Sequence, residues 1–118
     1  MDHIPNLDFY HFDVYQKEAL TTAFYPNKGN NLYYPALGLA GESGEVCEKI
    51  KKIYRDMDGE VTESSKNDLV RELGDILWYV AALADEIDIC LSEVAEENIL
   101  KLSDRQQRDK LKGSGDNR

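Results

Sequence analysis

Leu69-Val70-Arg71-Glu72-Leu73-Gly74-Asp75-Ile76-Leu77-Trp78-Tyr79-Val80-Ala81-Ala82-Leu83-Ala84 is the stretch that decides the fold. Apolar side chains recur at Leu69, Leu73, Ile76, Leu77, Val80, Leu83 and Ala84, the three- and four-residue spacing of one helical face. No alternating apolar and polar run in the chain is long enough to argue for a sheet, so the expected class is all-α. Val70, Trp78, Tyr79 and Ile87 widen the stripe beyond what three slender neighbours can cover. Part of it is therefore expected to be buried by another copy of the chain.

Three further helices flank this one. Phe9 to Ala23 carries Phe12, Tyr15, Ala19, Leu20 and Ala23 at helical spacing, and Pro26-Asn27-Lys28-Gly29-Asn30-Asn31 breaks it. Pro35 suits the first turn of a second helix running to about Tyr54, because its missing N–H costs little there. A polar loop from Asp56 to Ser65 holds Gly59, and Ser65 or Asn67 is the expected cap of the third helix, which continues to about Ile89. A fourth runs from Leu91 or Ser92 to Ser103. Residues from about 104 to 118 are polar and end in Lys112-Gly113-Ser114-Gly115-Asp116-Asn117-Arg118, which reads as a flexible tail. The expectation is one domain over residues 1–118, an antiparallel four-helix bundle completed by oligomerisation.

Composition excludes several roles. No apolar run reaches the roughly 18 residues of a membrane span. Met1-Asp2-His3-Ile4-Pro5 lacks the basic and apolar regions of a secretory signal, so a cytoplasmic protein is expected. Cys47 and Cys90 have no partner spacing and read as small buried hydrophobes in a reducing compartment. Net charge is −9, with 23 acids against 14 bases and no dense Lys/Arg cluster. Nucleic acid and anionic membranes are thereby excluded as direct partners. A small phosphorylated substrate fits only if cations bridge it to the protein.

Two short acidic motifs carry the chemistry: Glu42-Ser43-Gly44-Glu45 and Glu72-Leu73-Gly74-Asp75. A helix advances about 100° per residue, so Glu45 falls at about 300° from Glu42, and Asp75 at about 300° from Glu72. On both helices the apolar residues fan from about 20° to about 160° by the same step. The acids thus flank the core face instead of lying opposite it. Four carboxylates held there repel one another unless protons or a cation neutralise them. An all-oxygen set suits a hard dication such as Mg²⁺, which also keeps positions for phosphate. Zinc fits less well, because neither motif has His or Cys at ligand spacing. Gly44 and Gly74 occupy matching slots and Gly41 adds a third; a close approach of the two helix backbones would offset their cost in a helix interior.

Gly38-Leu39-Ala40-Gly41-Glu42-Ser43-Gly44-Glu45-Val46-Cys47-Glu48-Lys49, followed by Glu72-Leu73-Gly74-Asp75-Ile76-Leu77-Trp78-Tyr79, resembles the MazG-like nucleoside triphosphate pyrophosphohydrolases. Their pattern is ExxE, a gap, then ExxD, and here 26 residues separate Glu45 from Glu72. Tyr15-Gln16 with Ala19, and the closing Gly113 to Arg118, also look like a single-domain branch of that family. The resemblance implies Mg²⁺-dependent hydrolysis of a nucleoside triphosphate to the monophosphate and pyrophosphate, with Mn²⁺ as a substitute cation. It implies that Glu42, Glu45, Glu72 and Asp75 bind the metal. Glu45 is the candidate general base. Asn98 and Lys101 resemble a downstream nucleotide-contacting pair, and Lys49 and Lys52 are candidate phosphate contacts. Trp78 leads the aromatic candidates for the base, with Tyr79, Tyr10, Phe12, Tyr33 and Tyr34. The family assembles as dimers or tetramers, so a homo-oligomer is expected. Alternative readings are another phosphorylated nucleotide such as dUTP, dCTP or an alarmone, or a non-catalytic helical oligomerisation or nucleotide-binding module.

Overall fold

The computed structural model describes residues 9–108, and these form four α-helices and no strand. They are α1 (Tyr10–Leu20), α2 (Tyr33–Asp56), α3 (Glu63–Glu86) and α4 (Leu91–Gln107). No helix among the described residues is long and apolar enough to cross a membrane.

The helix boundaries follow local chemistry. α1 stops at Leu20, three residues short of the expected Ala23, and the Thr21 and Thr22 hydroxyls turn back onto Glu18 and Ala19 carbonyls. α2 begins at Tyr33, with Pro35 in its first turn and fully buried, and the Asn31 side chain accepts from the Tyr34 N–H. The cap of α3 is Thr62, not Ser65 or Asn67. Thr62 accepts from the Ser65 N–H, while the Ser65 hydroxyl accepts from the Thr62 N–H. Ser65 is thus the far half of a capping box. α4 continues to Gln107, past the expected end at Ser103. The glycine-rich C-terminal segment lies outside the described residues.

α2 and α3 form an antiparallel hairpin of two 24-residue helices. Gly38 meets Tyr79 near one end, while Glu42 meets Asp75 and Glu72 one turn further on. α1 packs on α3 and α4, and α4 on α1 and α3, but α2 packs on α3 alone. Among the described residues the expected bundle is therefore open along α2.

Small residues let α1, α3 and α4 approach. Ala19, Ala81, Ala82, Ala84 and Leu91 are buried at their junction. Gln16 is buried with them. Its amide donates to the Ala81 carbonyl at 3.1 Å and the Ile89 carbonyl at 3.2 Å, and its oxygen accepts from the Leu91 N–H at 3.0 Å. Asp13 accepts from the Ser92 N–H at 2.9 Å and the Ser92 hydroxyl at 2.7 Å. Helix α4 is thus capped by side chains of α1, which satisfy N–H groups its own first turn leaves open. Cys47 and Cys90 are free and exposed, contrary to the burial expected of them. Cys47 lies within α2, and Cys90 is the N-cap residue of α4.

Candidate functional site

The crossing of α2 and α3 gathers three of the four motif acids. One carboxylate oxygen each from Glu42, Glu72 and Asp75 lies within 4.8 Å of the others. Glu42 and Glu72 are half-buried, and Asp75 is exposed. Glu45 stands one turn along α2, exposed and outside this group. The wheel placed all four at the edge of the apolar stripe, but the hairpin crosses at Glu42, so that turn alone faces both acids of α3.

The cluster is electrostatically loaded. At an effective dielectric of about 20, unit charges 4.8 Å apart repel by roughly 3 kcal/mol, less where water screens Asp75. Burial holds the Glu42 carboxyl above its ordinary range, and the Asp75 charge and a hydrogen bond with Glu72 push it the same way. Burial and the Asp75 charge likewise raise the Tyr15 hydroxyl, which places α1 beside the cluster. Carboxyls crowded in this way are groups a dication can relieve. The donor set is oxygen throughout, so it fits a hard cation such as Mg²⁺.

A cavity of about 310 Å³ opens beside the acids, lined by Thr22, Glu42, Asp75, Trp78 and Tyr79. Trp78 stands edge-on to Tyr79, with ring centroids 5.0 Å apart. Its indole N–H donates to the Ala19 carbonyl at 3.0 Å and the Thr22 hydroxyl at 2.9 Å. The C-terminal turn of α1 therefore fixes the cavity's aromatic wall. Thr22 escaped the sequence reading because it fell within the expected first helix, and no spacing rule links it to Trp78.

The remaining candidates lie elsewhere. Asn98 and Lys101 line a second cavity, about 390 Å³, with Ile89, Glu93, Val94 and Glu97. It shares no residue with the cavity at the acids. Lys52 sits 3.9 Å from Glu48 on the α2 surface, and neither it nor Lys49 lines the acid cavity. Tyr34 stacks on Tyr25 and neighbours Tyr79. Tyr33 and Tyr10 are exposed, and Phe12 lines a smaller cavity with His11, Tyr15 and Leu77. The expected close approach at Gly41, Gly44 and Gly74 is not found; a Cβ at any of them would meet open space. The close approach is at Gly38, where a Cβ would lie 2.1 Å from the Tyr79 ring.

Fold and site define a class: helical-hairpin proteins whose crossing gathers carboxylates beside an aromatic-walled cavity. The chain belongs to the MazG nucleotide pyrophosphohydrolase domain family, whose profile matches residues 34–108. It is also 48% identical over 113 residues to the Gene 37 protein of Mycobacterium phage L5, covering 92% of this chain and 99% of that protein. No solved structure gives a significant match.

Proposed function

We propose that the chain is a Mg²⁺-dependent, cytoplasmic hydrolase that splits a nucleoside triphosphate into the monophosphate and pyrophosphate, working as a homo-oligomer of one-domain subunits. The observation that carries this reading is the trio Glu42, Glu72 and Asp75, of which Glu42 and Asp75 line a cavity walled by Trp78 and Tyr79. Family membership supports the reaction class.

Mg²⁺, or Mn²⁺ in its place, would supply polarisation of a phosphate oxygen and a lower pKa for bound water. Glu42, Glu72 and Asp75 would hold it, the cation offsetting the crowding that raises the Glu42 carboxyl. Trp78, locked by Ala19 and Thr22, and Tyr79, seated on Gly38, orient the nucleotide against the acids. The bond broken is the α–β anhydride, with water as nucleophile. Glu45, exposed one turn from Glu42, would accept the water's proton. Asn98 and Lys101 serve the nucleotide only if another copy brings their cavity to the acids, which is one reason to read the active form as an oligomer.

Pyrophosphate release should be measured across a panel of ribo- and deoxyribonucleoside triphosphates with Mg²⁺, then with chelator. Glu72→Gln should lower turnover by about 10³-fold or more, the scale of losing a principal electrostatic group, with the far-UV circular dichroism unchanged. Wild-type turnover in that variant overturns the site.

A further inference from the structure

We infer that Glu86, at the far end of α3 from the acids, is a positioning residue that sets the Tyr79 wall of the cavity through Tyr25 and Tyr34. The inference rests on the nucleotide-hydrolase reading for its kinetic consequence, but not for its structural one.

Glu86 is eleven residues beyond Asp75 on α3, about 16 Å at 1.5 Å per residue. It touches neither the acids nor their cavity. Its carboxylate instead gathers the segment between α1 and α2. It accepts from the Tyr25 hydroxyl, from the Gly29 N–H at 2.8 Å and from the Asn31 N–H at 2.9 Å. Gly29 has a φ of +96°, a conformation that suits glycine and turns its N–H onto the carboxylate. These donors hold Glu86 below the usual carboxylate range, the Asn31 N–H first.

From Tyr25 a row of rings leads back to the site. Tyr25 is buried and lies face to face with Tyr34, at 4.7 Å between centroids and 7° between planes. Tyr34 neighbours Tyr79, with ring centroids 6.4 Å apart. Tyr79 cannot recede, because its ring rests on the bare backbone of Gly38. The ring is therefore held between Gly38 on one side and the Tyr25–Tyr34 pair on another. Remove the carboxylate and Tyr25 loses the partner of its hydroxyl, so the pair that braces Tyr79 is free to shift.

Trp78 is the single tryptophan and stands against Tyr79, so it reports on that ring without any ligand. Glu86→Ala, with far-UV circular dichroism retained, should red-shift Trp78 emission and weaken its near-UV dichroism. Glu86→Gln, which keeps one acceptor oxygen, and Tyr25→Phe, which keeps the stack, should give smaller changes in the same direction. In a Tyr79→Ala background, Glu86→Ala should change nothing further, because residues acting in one chain are not additive. With Mg²⁺ and whichever of ATP, dCTP and dUTP the wild type turns over fastest, Glu86→Ala should raise KM by about tenfold and leave kcat within about twofold, the pattern of lost uniform binding. An unchanged Trp78 signal in a folded Glu86→Ala overturns the inference. So does an undiminished Glu86 effect in the Tyr79→Ala background, which would trace the signal to Thr22 instead. If the wild type turns over no nucleotide, the hydrolase reading fails, and the fluorescence cycle still decides the role of Glu86.

Discussion

A single missing methyl group separates two kinds of glycine in this chain. Gly41, Gly44 and Gly74 face open space, whereas Gly38 lies under an aromatic ring. Gly38→Ala would drive a Cβ to 2.1 Å from Tyr79, a distance no relaxed contact tolerates, and the whole ring must move. The expected outcome is a loss of about 1–3 kcal/mol, the range for overpacking. It should come with a rise in nucleotide KM, since Tyr79 walls the acid cavity. Gly41→Ala is the control. It should stabilise the helix by up to about 1 kcal/mol through propensity alone. Thermal melts of both variants, with KM determined alongside, check the pair. Matched changes at the two sites would show that the ring does not depend on Gly38.

At the scale of the element, α1 acts as a clamp. It is short, eleven residues, and helices of that length are marginal alone. Its value lies in Gln16 and Asp13, which between them engage α3, the turn after it and the start of α4. Gln16→Ala leaves the carbonyls of Ala81 and Ile89 and the buried Leu91 N–H without this partner. An unsatisfied buried group costs roughly 1–3 kcal/mol, so a loss of about 2–4 kcal/mol is expected. Urea denaturation measures it, and a loss below about 0.5 kcal/mol, the level of a neutral surface change, would show the clamp to be dispensable. The contrast with α2 and α3 explains what could be read in advance. Their helical period is local, so both were legible from apolar spacing to within a few residues. Gln16 reaches partners 65 to 75 positions away, and a lone glutamine has no spacing that announces them. Thr62 was passed over for Ser65 because each is a competent cap, and only the reciprocal bonds show which comes first. The matched offsets of Glu42 and Glu72 pointed to a shared site. Which turn lies at the crossing, and hence the exclusion of Glu45, depends on how the hairpin is docked.

The whole molecule is governed by how the apolar stripes of α2 and α3 divide. On α3 the residues nearest the acids, Leu83, Ile76, Leu69 and Val80, are half-buried. Of those on the far side of the stripe, Leu73, Leu77 and Val70 are exposed, while Ala84 is buried against α1 and α4. α2 repeats the division, with Ile53 buried and Ile50 and Tyr54 exposed. The hairpin therefore uses one edge of each stripe on itself and leaves much of the other exposed, and among the described residues no helix but α3 packs on α2. Burying an apolar side chain fully is worth about 1.5–3 kcal/mol, and these are already covered in part, leaving roughly 1 kcal/mol each. Five of them on each of two copies reach the roughly 4–15 kcal/mol that association costs. A second copy, presenting the same face, is the occupant this arithmetic favours. Val70 tests it, being 67% exposed and not among the residues that line the cavity at the acids. Val70→Glu would set a like charge from each copy into the contact, while in the isolated chain it would merely add a solvated acid. Sedimentation velocity should find the wild type at a multiple of 13.4 kDa and the variant at the single-chain mass. Asn98 and Lys101 stand apart from the acids in one chain, so turnover should fall with the assembly while the helical signal stays. A wild type that sediments as one chain and still releases pyrophosphate would show that the open hairpin suffices.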